Sequence, residues 1–205
     1  MNVTQHTHPS ADRAAQLHAA LEPLMDEVLS DLTDLVAIPS IAWPAFDPAH
    51  VRASAEAVAG LASRAGFEDV EILTAATPSG ETGAPAGVAR TDGPEGAPTV
   101  VLYAHHDVQP TGDPELWDTP PFEATERGDR LFGRGAADDK AGILVHLTAL
   151  RLLGDDLGVG VVLFVEGEEE AGSPSFGNFL RDHREKLAGD VIVVADSGNW
   201  AVGTP

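Results

Sequence analysis

Three apolar runs constrain this 205-residue chain more than any other feature: TVVLYA (99–104), GVGVVLFVEG (158–167) and DVIVVAD (190–196). A strand half-exposed to water alternates apolar with polar residues. These runs do not alternate, so each is predicted to be a strand buried on both faces. Between and before them the apolar spacing is helical, as in AGILVHLTALRLL (141–153) and PSFGNFLRDHREKL (174–187). Buried strands alternating with helices predict an α/β fold: a mostly parallel sheet flanked by helices.

Upstream, Leu17, Leu21, Leu24, Met25, Val28, Leu32 and Leu35 recur at three and four, predicting one amphipathic helix from Ala14 to Ala37, stopped by Pro39. A second helix is expected from about Pro48 to Ala65, with Gly66 ending it, then short strands at VEIL and Gly87–Arg90. The passage 116–140 reads as loop. Residues 1–12 read as a disordered leader, in which His6 and His8 are solvated, and 13–205 as one domain.

Each of the three runs ends in acid or histidine, as YAHHD, FVEGEEE and VVADSG. In open α/β sheets, chemistry gathers beyond the carboxyl ends of the strands. The charge balance fits a cation there. Twelve Lys and Arg against 33 Asp and Glu give a net charge of −21, which disfavours nucleic acid and membrane surfaces as partners. Cysteine is absent, so thiolate nucleophiles and disulfides are excluded and a metal would be held by imidazole and carboxylate. No apolar run approaches the roughly 18 residues of a membrane span, and the first residues lack a signal-peptide pattern, so a cytoplasmic location is expected.

In an extended YAHHD, His105 and Asp107 share one side and His106 faces the other. A metal-bound imidazole commonly donates its second N–H to a carboxylate, the residue types this pair provides. In GRGAADDKAG, Asp138 and Asp139 adjoin at a helix start; adjacent carboxylates repel unless a cation compensates, and Lys140 is expected to neutralise one of them. Glu168, Glu169 and Glu170 follow the second strand, where one can ligate while its neighbour stays free as a base. Asp196 tips the third strand. His105, Asp138, Glu170 and Asp196 form a set suited to zinc, with manganese or cobalt as alternatives. His146 is read as a packed helix residue and His183 as solvent-facing. Neither a nucleotide-binding GxxxxGK[ST] loop nor a GxSxG elbow around Ser197 is present.

Taken in order, HHDVQP, GRGAADDKAG, EGEEEAGS and the AD closing a strand resemble the co-catalytic zinc peptidases. That group contains carnosinase-type dipeptidases, carboxypeptidase G, aminoacylase, acetylornithine deacetylase and succinyl-diaminopimelate desuccinylase. LVAIPSI and WDTPPFEATERGDRLFGRG add to the resemblance, which runs from about residue 30 to residue 200; DVQP, DDK and EGEEEAGS lean towards the dipeptidases. The resemblance implies two divalent metal ions. His105 and Asp196 would hold one, Asp138 would bridge both, and Glu170 would hold the second. Asp107 would orient His105, Glu169 would be the general base, and the Asp138–Asp139 peptide would be cis.

The resemblance also implies a longer enzyme, with a lid domain that often mediates dimerisation and a later histidine completing the second metal site. No histidine follows His183. The chain is therefore expected to be the N-terminal part of a catalytic domain, with the second site incomplete, the sheet's apolar edge exposed and a homodimeric parent. Its implied substrate is a dipeptide or small N-acyl amino acid. A deacylase on the same scaffold and an inactive metal-binding fragment are the alternatives.

Overall fold

The structure, a computed structural model, describes residues 11–198. Its helices are α1 (Ala11–Leu21), α2 (Met25–Val36), α3 (Pro48–Arg64), α4 (Lys140–Leu153), α5 (Phe176–Asp182) and α6 (Arg184–Leu187). Its strands are β1 (Val70–Leu73), β2 (Ala86–Thr91), β3 (Thr99–His105), β4 (Thr125–Arg127), β5 (Arg130–Phe132), β6 (Gly160–Glu166) and β7 (Val191–Val194). All but the expected leader's last two residues lie outside the described residues; Ala11 and Asp12 belong to α1.

Five strands form one sheet in the order β1-β2-β6-β3-β7. The three predicted from apolar runs, β6, β3 and β7, lie side by side and parallel, so their carboxyl ends share one edge. β2 pairs antiparallel with β6, and β1 with β2, which makes the sheet mixed. β6 shows why the unalternating run was needed. Val161, Leu163 and Val165 pack with Leu35, Val36, Val58, Ile143 and Leu147 on the side of α2, α3 and α4. Val162 and Phe164 face the other way, onto Val88, Val101 and Phe179 of α5. Both faces are dry, and all seven residues of β6 are buried.

Four expectations need correction. The single helix from Ala14 to Ala37 is two, separated by a 3-10 turn at Glu22–Leu24, because Pro23 lacks the N–H an unbroken helix requires. The helix at 174–187 likewise divides at His183, which is half-buried rather than wholly solvent-facing: its ring packs edge-on against Phe179, and Nε2 lies 3.1 Å from the Thr74 carbonyl. The loop-rich passage contains the β4–β5 hairpin, turning at Gly128 with φ +67°. The third apolar run, β7, is not buried on both faces. Among the described residues it sits at the sheet's edge with β3 as its one neighbour, and Val191 to Val194 are exposed, Ile192 by 66%. Apolar composition describes what a strand can bury, not what covers it.

Candidate metal centre

Where β3, α4 and β7 meet, one ligand atom each from His105, Asp138 and Asp196 lies within 4.8 Å of the others. Among the described residues this is the group that could hold a metal ion. Residues 33 and 91 positions apart in sequence converge because β3 and β7 end side by side and α4 starts beside them.

His105 is fully buried. Its Nδ1 lies 3.0 Å from the Asp107 carbonyl oxygen and 3.4 Å from Asp107 Oδ1, which places the N–H there. The ring's other nitrogen, Nε2, then faces carboxylates: Asp138 at 3.1 Å, Asp196 at 3.8 Å and Glu169 at 3.9 Å. Burial works against a charged ring, but the hydrogen bond and charge of Asp107, with Asp139 and Asp196, push its pKa up to about 10. The surrounding carboxylates thus favour positive charge at Nε2, which a divalent cation could supply as a proton does. Imidazole and carboxylate oxygens fit such an ion.

The two aspartates of GRGAADDKAG divide their tasks. Asp138 is largely exposed towards the site, whereas Asp139 is buried and accepts the His105 backbone N–H at 3.1 Å. Burial pushes Asp139 up to about 7, with Asp196 and Asp138 adding to the effect and His105 opposing it. The peptide between them is cis, as expected. Gly142 gives the Asp139 side chain its room, since a Cβ there would lie 2.1 Å from Asp139 Oδ1 and 2.4 Å from the Ala195 carbonyl. Lys140 does not neutralise either aspartate. It turns inward, and its Nζ donates to the carbonyls of Leu35 at 2.6 Å and Ile38 at 2.7 Å. Burial lowers its pKa to about 7.

The glutamate triplet also divides. Glu168 is buried and structural, accepting from Ala84 N at 2.8 Å, Ser175 N at 2.6 Å and Ser175 Oγ at 2.5 Å. Glu169 points to the His105 side. Burial, with the charges of Asp196, Glu170 and Asp107, holds its carboxyl above the ordinary range, partly offset by His105. Glu170 is not in the three-residue group. Its Oε2 accepts from Gln109 Nε2 at 2.5 Å, and its Oε1 is buried with no hydrogen-bond partner, an orphan oxygen that suits a second cation. Trp43 Nε1 fixes the Glu170 carbonyl at 3.0 Å.

Of the remaining histidines, His146 is packed in α4 as expected, with Nε2 2.9 Å from the Tyr103 carbonyl. His106 is fully buried, its Nε2 2.9 Å from the Pro85 carbonyl, and burial lowers its pKa to about 4. Sequence reasoning missed Gln109, although it continues the spacing of two begun by His105 and Asp107. It missed Glu166 as well, buried beneath the site and accepting the Tyr103 hydroxyl at 2.9 Å.

A cysteinylglycine-S-conjugate dipeptidase of Corynebacterium striatum is 45% identical over 114 residues, covering 53% of this chain and 25% of that protein. A human Beta-Ala-His dipeptidase is 36% identical over 104 residues, covering 48% of this chain and 20% of that protein. The chain thus spans about a quarter or less of the length of these curated relatives. Among solved structures, human carnosine dipeptidase 1 superposes with a TM-score of 0.78 at 27% identity, over 91% of this chain and 41% of that one. The metallo-carboxypeptidase Sso-CP2 of Sulfolobus solfataricus gives 0.69 at 30% identity, over 84% and 38%. The sequence model of Peptidase family M20/M25/M40 matches residues 101–205, more than half of the chain and a range that includes His105, Asp138, Glu169, Glu170 and Asp196. The chain belongs to that family.

Proposed function

We propose that this chain carries the metal centre of a hydrolase that cleaves the amide bond of dipeptides or small N-acyl amino acids. The observation that carries the reading is the convergence of His105, Asp138 and Asp196 within 4.8 Å at the parallel strand tips, beside the raised carboxyl of Glu169. That its relatives are described as dipeptidases supports the choice of substrate.

His105, Asp138 and Asp196 would hold one divalent ion, with zinc the best match to imidazole plus carboxylate. Asp138 and Glu170 would contribute to a second. Bound there, such ions supply Lewis-acid chemistry, acidifying water and polarising an amide carbonyl. Asp107 keeps the His105 ring turned with Nε2 towards the ion. Glu169 takes the proton of the attacking water on its carboxylate as the water oxygen bonds to the amide carbon. It returns that proton to the nitrogen as the C–N bond breaks.

The test is zinc content and hydrolysis of Cys-Gly and β-Ala-His by the purified chain beside Glu169→Gln. Turnover in the wild type alone, with equal zinc in both, supports the reading. Equal turnover in both proteins removes Glu169 from its role, and a folded chain that takes up no zinc removes the metal centre.

A further inference from the structure

Residues 35–40, where α2 ends, grip both ligand-bearing segments at once. From one side, Lys140 reaches in: its fully buried Nζ donates to Leu35 O at 2.6 Å and Ile38 O at 2.7 Å. From the other, Ser40 holds the strand exit. Its Oγ donates to the His106 carbonyl at 2.6 Å, and its own carbonyl accepts the Val108 N–H at 3.0 Å. Ser54 of α3 adds a second hydroxyl to the His106 carbonyl at 3.3 Å. Lys140 follows the Asp138–Asp139 pair directly, and His106 lies between His105 and Asp107. One six-residue stretch therefore spans the two segments whose ligands meet at 3.1 Å.

The loop packing agrees. Gly135 adopts φ +79°, and a Cβ there would lie 2.6 Å from Val108 Cγ1 and 3.3 Å from Lys140 Cδ. The glycine loop thus closes onto the two anchored residues. A lysine with no carboxylate at its Nζ is costly to bury, and spending it on two carbonyls at a helix end makes sense as a directional tie.

The geometry points to residues 35–40 as a positioning frame for the metal centre, with Lys140 and Ser40 as positioning residues that set the separation of His105 and Asp138. This rests on the metal-centre reading above. The frame lies outside the residues matched by the family's sequence model, 101–205.

Cobalt(II) titrated into the full chain tests it, because the ion's d–d absorption reports affinity and ligand geometry without turnover. Lys140→Met and Ser40→Ala, each shown folded by circular dichroism, are expected to bind cobalt about 10-fold more weakly or worse, with altered band shape. Val162→Ala, buried on the opposite face of the sheet, should lose stability but keep both cobalt readouts. Folded Lys140→Met and Ser40→Ala with wild-type affinity and band shape would overturn the frame. Should Lys140→Met not fold, Ser40→Ala, which loses a single oxygen, decides alone. Separately, a wild-type chain that binds no cobalt, or an Asp138→Asn variant that binds it undiminished, sinks the metal-centre reading and the frame with it. Wild-type binding that weakens in Asp138→Asn but not in the frame variants sinks the frame alone.

Discussion

The carboxylate of Asp107 receives the backbone N–H of Glu169 on Oδ1, at 3.1 Å, while the same oxygen lies 3.4 Å from His105 Nδ1. Its Oδ2 receives the Glu170 N–H at 3.1 Å. One fully buried side chain thus sets both the ring proposed as a ligand and the strip that carries the proposed base. In Asp107→Asn an NH2 group must replace one of these acceptors and face a backbone N–H. Metal affinity is expected to fall about 10- to 100-fold, measured by competition with a chromogenic chelator. An unchanged affinity would show that the Asp107 carbonyl alone orients the ring.

Ligand roles are separable by metal counting. At free zinc near its dissociation constant, His105→Ala and Asp196→Ala should each abolish tight zinc binding, since either leaves two of the three clustered donors. Glu170→Gln should leave the tight site intact, because Glu170 stands apart with Gln109. Equal losses in all three variants, by elemental analysis, would merge the two sites into one.

His106 predicts an acid sensitivity. Burial lowers its pKa to about 4, so the unfolded chain, with an ordinary histidine near ~6.5, binds more protons between those values. The stability due to a neutral His106 is complete above pH ~6.5 and is lost as pH falls towards 4, by about 3 kcal/mol. Asp139, pushed up to about 7, acts in the opposite sense across the whole of this window. The measurement is therefore the difference in urea unfolding between the metal-free wild type and His106→Gln. That difference should shrink with acidification; a constant difference contradicts it.

The outer strand predicts self-association. Ile192 is 66% exposed on a strand whose outer edge has no partner among the described residues. Such edges template pairing with other chains. Ile192→Lys should reduce concentration-dependent light scattering while changing stability by no more than about 0.5 kcal/mol. Undiminished scattering would place the sticky surface elsewhere.

The strands and their acidic tips were legible in the sequence because local pattern controls them: unalternating apolar runs end at His105, Glu166 and just before Asp196. Roles that depend on distant partners were not. Lys140 stands beside two aspartates in sequence, yet its stem is buried and its nearest acceptors are carbonyls about a hundred positions away. The composition of Val191–Val194 is the same whether covered or bare, so the expectation of an exposed apolar edge comes from the family resemblance and not from the β7 run itself. Pro23 is a local signal for the break, lying among the seven regularly spaced apolar residues that predict one unbroken helix.

Asp196 follows the least buried strand of the sheet, so the ligand set is only as rigid as β7. On the proposed ligand assignment, covering that strand and filling the metal centre would be one linked equilibrium. Whatever pairs with the outer edge of β7 spares the ion the entropy of fixing Asp196. By reciprocity, a bound ion raises the affinity for that cover by the same factor. The edge of the sheet is in this sense a dial on the affinity of the metal centre.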